Sequence, residues 1–327
     1  MAGQGCRRTV VAGARPPAAG PGRARLATWR RTENRRAGLG PTRRPRRRQK
    51  QRRGGMNKPS VFSPQIHEGQ AVKIIGLGGT GGILARYGAM FLASLHREAR
   101  LVLVDGDQFE EGNATRMFFG RHGNKAAVVR EELLPRLAPS LLTVVAVEEY
   151  VTATNLTRLI HEGDIVLLAV DNHATRKLVS DHCARLEDVC LISGGNDGVG
   201  PDSAGLERSG TYGNVQIFLR AAGRELSPSL TQLHPELQNP ADRSPADQSC
   251  TELMASVPQL LFANLAVASA MLNALWLHLA GALPYAELAL DIAEGRMLPV
   301  LEMPRMLSTP AHSMTVPARP PREALPT

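Results

Sequence analysis

The sequence predicts an α/β protein, with a doubly wound and mostly parallel sheet, a smaller C-terminal mixed section and a long packed helix. Three observations point there. Short continuous apolar runs recur at 72–76, 101–105 and 165–170, and each stops at Gly or Asp. Unbroken runs of four to eight apolar residues read as strands buried on both faces. Between them lie segments whose apolar residues fall at helical spacing, and such alternation builds a parallel sheet with helices on both sides. Apolar residues make up 43% of 327, enough for a sizeable core.

The elements follow in order. Val72-Lys73-Ile74-Ile75-Gly76 reads as a strand feeding a glycine turn, Gly76-Leu77-Gly78-Gly79-Thr80-Gly81-Gly82. Ile83, Leu84, Tyr87, Phe91 and Leu95 then recur as on one helix face, and Leu101–Asp105 is the second strand. This βαβ order demands a right-handed crossover. A helix is expected over 124–137 and a strand over 142–147. Thr154 is the expected cap of a short helix carrying Leu156, Leu159 and Ile160. Asp164–Val170 is a strand ending at Asp171, followed by a helix to about Arg185 and a strand at Val189–Ile192. Gly213–Leu219 alternates partly, as in a later antiparallel strand. Residues 223–250 are polar with four prolines and read as a long loop, and 255–282 as an Ala/Leu-rich helix.

Charge divides the chain. Residues 1–55 hold 17 Arg and Lys against one acid, Glu33, a charge of +16, while the remainder carries −7. The basic head has almost no apolar periodicity and is expected to be disordered. A transit peptide, a nucleic-acid arm, or a segment outside the functional chain, which would then start at Met56, all fit it. The expected organisation is that head, a nucleotide-binding domain over 56–200, its completion by strand, loop and helix over 201–305, and a disordered tail over 306–327. Aromatics are only 4%, which weighs against a base-stacking platform, and no nucleic-acid partner is expected. Cys6, Cys183, Cys190 and Cys250 show no CxxC spacing, which fits a reducing, cytoplasmic compartment. Residues 257–280 are long enough to span a bilayer. Gln259, Asn264, Ser269, Asn273 and His278 interrupt them, so a helix packed on the sheet is expected and no membrane.

The motifs suggest nucleotide chemistry. A strand, glycines and a helix start leave backbone N–H groups unpaired at a positive dipole end, an anion site suited to phosphate. Asp105 ends the second strand, where an acid can accept from ribose hydroxyls. Up to this point an NAD(P)-dependent oxidoreductase and an ATP enzyme fit equally. Asp107, Asn113, Arg116 and Lys125 favour ATP. Arg116 can make two parallel bonds to phosphate oxygens, and Lys125 supplies a point charge. Lys125 falls in the first turn of its helix, where the dipole disfavours a cation and a phosphate would compensate. Asp171, at the carboxyl end of a strand, can hold Mg²⁺ together with phosphate oxygens.

Together, Gly76-x-Gly78-Gly79-x-Gly81, Asp105-x-Asp107, Asn113-x-x-Arg116, Gly123-x-Lys125 and Asp171-Asn172-x-x-x-Arg176 resemble the ThiF/MoeB/HesA family of ubiquitin-activating-type adenylyltransferases. The resemblance implies that the glycine turn and Asp105 bind ATP, that Asn113, Arg116 and Lys125 surround its phosphates, and that Asp171 holds Mg²⁺. It implies a reaction in which the C-terminal carboxylate of a small ubiquitin-like or sulfur-carrier protein becomes an acyl-adenylate, and it implies a homodimer. Cys250 lies roughly where such proteins carry a thioester- or persulfide-forming cysteine. The chain departs from the pattern in having no Arg over 57–71, Arg116-Met117 in place of the frequent Arg-Gln pair, a short spacing from Arg116 to Lys125, and no paired CxxC. A non-catalytic member that binds nucleotide or a partner stays open beside the enzyme.

Overall fold

The computed structural model describes residues 63–109, 114, 117–201, 205, 207–247 and 259–303. The basic head, the tail over 306–327, Asn113, Arg116 and Cys250 lie outside the described residues. Pro59–Thr327 forms one compact unit.

The chain runs β1 (Ala71–Ile75), α1 (Gly79–Ser94), β2 (Ala99–Val104), the small pair β3 (Gln108–Phe109) and β4 (Gly123–Asn124), α2 (Lys125–Leu137) and β5 (Leu142–Val147). It continues through α3 (Leu156–Leu159), β6 (Ile165–Leu168), α4 (His173–Cys183) and β7 (Val189–Asn196). A second small pair, β8 (Val199–Pro201) and β9 (Glu207–Ser209), precedes β10 (Tyr212–Ala221) and β11 (Arg224–Glu225). Then come α5 (Leu230–Leu233), two single 3₁₀ turns, α6 (Leu261–Leu279), β12 (Tyr285–Asp291) and β13 (Arg296–Glu302).

The main sheet has the order β13-β12-β10-β7-β6-β1-β2-β5, with β11 beside β10. The run from β7 to β5 is parallel, and β10, β12 and β13 add antiparallel strands at one side. The chain builds outward from β1 to β2 and β5, then returns to β6 on the other side of β1. This reversal is the switch point at which open α/β sheets take ligands. Alternation along the strands separates two cores. Ile74, Leu101, Leu103, Ile165 and Leu167 pack under α1, α2 and α6. Ile75, Val104, Val166, Leu168 and Phe218 pack under α3, α4 and α5. Lys73, the one polar residue of β1, is buried and reaches Asp164 Oδ2 at 2.5 Å, so the apolar run carries its own counter-charge.

Several expectations need correction. The residue before α3 is Asn155, not Thr154; the Asn155 carboxamide accepts from Thr152 N–H at 2.8 Å, and Thr154 instead pairs with the Thr152 hydroxyl. The fifth parallel strand, β7, runs four residues beyond Ile192, because β10 pairs with it through Asn196. Within the polar stretch, β11 pairs with β10, α5 follows it, and 3₁₀ turns form at Pro235–Leu237 and Pro245–Asp247. Ser229 and Gln232 form a capping box, and Leu230 and Leu237 are buried. Beyond the long helix a hairpin, β12–β13, closes the sheet. By length and composition α6 could cross a membrane, yet Ala263, Val267, Met271, Ala274 and Leu275 are buried in the core it shares with α1 and the sheet.

Candidate functional site

The glycine turn sits at the switch point. Gly76 has φ +85°, and a Cβ there would meet Ala169 O and a Val170 methyl at 2.9 Å. A Cβ on Gly81 would lie 1.7 Å from Gly76 O, so the first turn of α1 crosses directly over the end of β1. Gly79 is pressed against Asn264 of α6. Gly78 differs from the others, since a Cβ there would meet nothing within 4 Å. Gly78 is the N-cap of α1, without a side-chain cap bond, and no acid stands in the first turn. The opening N–H groups of a helix lack intrahelical partners and carry the positive dipole end. An anion therefore has both donors and room here.

The end of β2 lies beside this turn, because Ile75 pairs with Val104. Asp105 is buried, and its carboxylate accepts from Leu77 N–H at 2.5 Å and Asp107 N–H at 2.8 Å. It therefore ties the glycine turn to the second strand. Burial pushes its pKa up to about 6, with Lys125 pulling the other way. Lys125 is itself buried and reaches Asp107 Oδ2 at 2.8 Å, while Tyr150 donates its hydroxyl to the other Asp107 oxygen. Lys125 can occupy a helix start because Asn124 caps that helix strongly. Asn124 Oδ1 accepts from Ala126 and Ala127 N–H, and its Nδ2 donates to Asp105 O at 2.8 Å.

On the far side of β1, Asp171 follows β6 and is exposed. It is not the cap of α4, a role that Asn172 takes by accepting from Thr175 N–H at 2.8 Å. Asp242, from the polar stretch, also accepts from His173 and Ala174 N–H at 2.7 and 2.9 Å. Arg176 is directed inward. Its guanidinium donates to Ser193 Oγ at 2.6 Å, Val170 O at 2.6 Å and Gly194 O at 2.8 Å. Burial lowers its pKa to about 10, opposed by Asp171 and Asp242, so it stays charged at neutral pH. It fixes the carboxyl ends of β6 and β7.

The strand order β6-β1-β2 thus places Asp171, the glycine turn, Asp105, Asp107 and Lys125 along one carboxyl edge. Among the described residues no cluster of three or more His, Cys, Asp or Glu could hold a metal alone. A single exposed carboxylate suits Mg²⁺ that is shared with phosphate oxygens. Cys183 and Cys190 are buried and unpaired by disulfide, and burial pushes both thiols up, that of Cys183 to about 12. A cavity of about 300 Å³ lies at the opposite edge, lined by Gln65, His67, Gln70, Asp188, Arg220 and His278 among others, away from these groups. Sequence reasoning assigned no role to Asn124, Tyr150 and Asp242. Asn124 was visible as an N-cap residue ahead of a helical run, whereas Tyr150 and Asp242 reach their partners across 43 and about 69 residues of chain.

Comparisons with known proteins fit this geometry. HesA from Leptolyngbya boryana is 30% identical over 115 residues, 34% of this chain and 39% of that protein. The crystal structure of E. coli MccB with ATP superposes with a TM-score of 0.51 at 16% identity, covering 71% of this chain and 64% of MccB. PaaA superposes with a TM-score of 0.51 at 16% identity, over 72% of this chain and 65% of its own. The chain thus spans about two fifths of HesA and somewhat under two thirds of MccB and PaaA, and the two superpositions show a shared fold. The pattern that defines the ThiF family matches residues 65–290, across both sides of the switch point and α6, and the chain belongs to the ThiF family.

Proposed function

We propose that the chain is an ATP-dependent adenylyltransferase that activates the C-terminal carboxylate of a small ubiquitin-like or sulfur-carrier protein, or of a peptide. The observation that supports this most is the uncapped start of α1, open at Gly78, with Lys125 and Asp171 on the same strand edge. In the reaction a carboxylate oxygen attacks the α-phosphorus of ATP, the bond from that phosphorus to the bridging oxygen breaks, and pyrophosphate leaves. The nucleophile is already ionised, so no strong base is required. The barrier is the approach of two anions, and fixed positive groups lower it. The first-turn N–H groups hold phosphate, Asp105 accepts from the ribose, and Lys125, held by Asp107, faces the developing charge. Arg116 and Asn113 are proposed for the same phosphates, and Asp171 for Mg²⁺, which when bound supplies further charge neutralisation. Cys250 is proposed for a later step in which its thiolate attacks the acyl carbon of the adenylate to form a thioester as AMP leaves, or takes the outer sulfur of a donor persulfide, whose own thiol leaves.

The protein is proposed to act in the cytoplasm and as a homodimer. Support for the dimer comes from an uncharged face. α6 has no charged residue, and α1 has only Arg86, which turns aside to Glu132 at 2.6 Å. ATP–pyrophosphate exchange with candidate carriers ending in Gly-Gly tests the activity. Lys125→Ala should lower exchange about a hundredfold, roughly 3 kcal/mol of transition-state stabilisation, and Asp171→Ala should abolish it with the protein still folded. ATP binding without exchange for any carrier would instead mark a non-catalytic member, and NADH binding in place of ATP an oxidoreductase.

A further inference from the structure

One polar side chain joins α6 to the glycine turn. Asn264 is fully buried in a helix without charged residues. Its Oδ1 accepts from Thr80 Oγ1 at 3.0 Å, and its buried Nδ2 has no acceptor among the described residues. A Cβ built on Gly79 would lie 2.3 Å from that nitrogen. The Cα–Cβ bond of a helical residue tilts toward the helix start. An atom in that direction from the first residue of α1 stands beside the mouth of the anion site. Leaving an amide donor buried and unpaired is unfavourable. Holding Thr80 needs only the oxygen of this side chain, so the nitrogen is left over for another partner.

We infer that Asn264 is a phosphate-contacting residue: its Nδ2 donates to an oxygen of the nucleotide phosphate seated on the first turn of α1, while its Oδ1 stays on Thr80. A residue without Cβ at 79 is what lets this amide reach the start of α1, where the phosphate sits. The contact adds a side-chain donor to the backbone donors of the turn, and it brings α6 into nucleotide binding from 184 residues further along the chain. It rests on the nucleotide reading above.

The test compares Thr80→Val with the double variant Thr80→Val/Asn264→Leu, titrating the full chain with ATP and with adenosine by calorimetry. The double variant replaces a hydrogen-bonded pair by apolar groups of similar size, a change that is nearly neutral for folding. Thr80→Val keeps the amide and serves as the reference, and the double variant should bind ATP at least about tenfold more weakly than that reference. Adenosine, which lacks phosphate, should bind both variants alike. Equal ATP affinity in the two variants, or an equal loss for adenosine, overturns the assignment. Should the double variant not fold, Asn264→Ser, which keeps an oxygen near Thr80 without the amide, reads the same quantity. Wild-type protein that binds neither ligand removes the nucleotide reading and this contact together. Wild type that binds ATP while the variants match each other removes only Asn264.

Discussion

Gly78 and Gly81 stand three residues apart under different constraints. An alanine methyl at 81 would fall 1.7 Å from Gly76 O, inside any allowed contact, so Gly81→Ala should cost more than about 4 kcal/mol and leave the chain unfolded or scrambled at the turn. At 78 the methyl meets nothing within 4 Å, and the backbone there has negative φ. Gly78→Ala should therefore melt like wild type while losing the thermal shift that ATP produces; a retained shift would take phosphate away from that face. Asp105 gives a pH signature. Its folded pKa of about 6 stands above its ordinary value of 3.8, so its contribution to stability is full below that ordinary value and is lost as pH rises through about 6. Binding should run the other way, since only the ionised carboxylate is a pure acceptor. ATP affinity should rise between pH 5 and 7 in wild type and stay flat across that step in Asp105→Asn. Identical profiles would assign the titration elsewhere.

Among the elements, α4 shows how a helix can organise a strand edge. Its start is closed by Asn172 from within and by Asp242 from the polar stretch, and Arg176 turns from its first turn into the sheet. Two acceptors on β7, Ser193 Oγ and Gly194 O, and one on the link between β6 and α4, Val170 O, meet in that guanidinium. Arg176→Met would leave them buried without a donor, at about 1–3 kcal/mol each, so a loss of at least about 3 kcal/mol in urea unfolding is expected. A loss below about 1 kcal/mol would mean that water or another side chain takes over the role. The parallel strands and their helices were legible because each carries its own signal, an apolar run or a 3.6-residue period. The order within 223–250 was not. Asp242 acts on a helix about 69 residues earlier, and His234 bonds Glu287 at 2.8 Å across 53 residues, so each looks like an ordinary loop or strand residue until its partner is known.

At the scale of the whole molecule, the glycine turn, Asp105 and Asp171 were legible as neighbours because each ends an apolar strand run, and the family resemblance added Lys125 to them. The closing hairpin was not, since β13 carries Pro299 and exposed Met297, Leu298 and Val300, which together spell neither a core strand nor a polar edge. The same accounting exposes a surface. Along α1 and α6, which run parallel with Gly88 facing Leu272 as Gly79 faces Asn264, Met90 is 60% and Phe262 71% exposed, with Tyr87 and Leu265 beside them. If this face joins two copies, Phe262→Glu should shift the protein from dimer to monomer in sedimentation while ATP binding persists, and a wild-type monomer at tens of micromolar would dismiss the interface. α6 has one more property. Met271 and Val267 lie where Cβ atoms of Gly194 and Gly213 would be, as Asn264 does at Gly79. Three bare backbones, at the start of α1, in β7 and in β10, thus ride against a single rod with no methyl to cushion them. A slide of that rod by less than an ångström would be felt at all three together, at the cradle and in both strands.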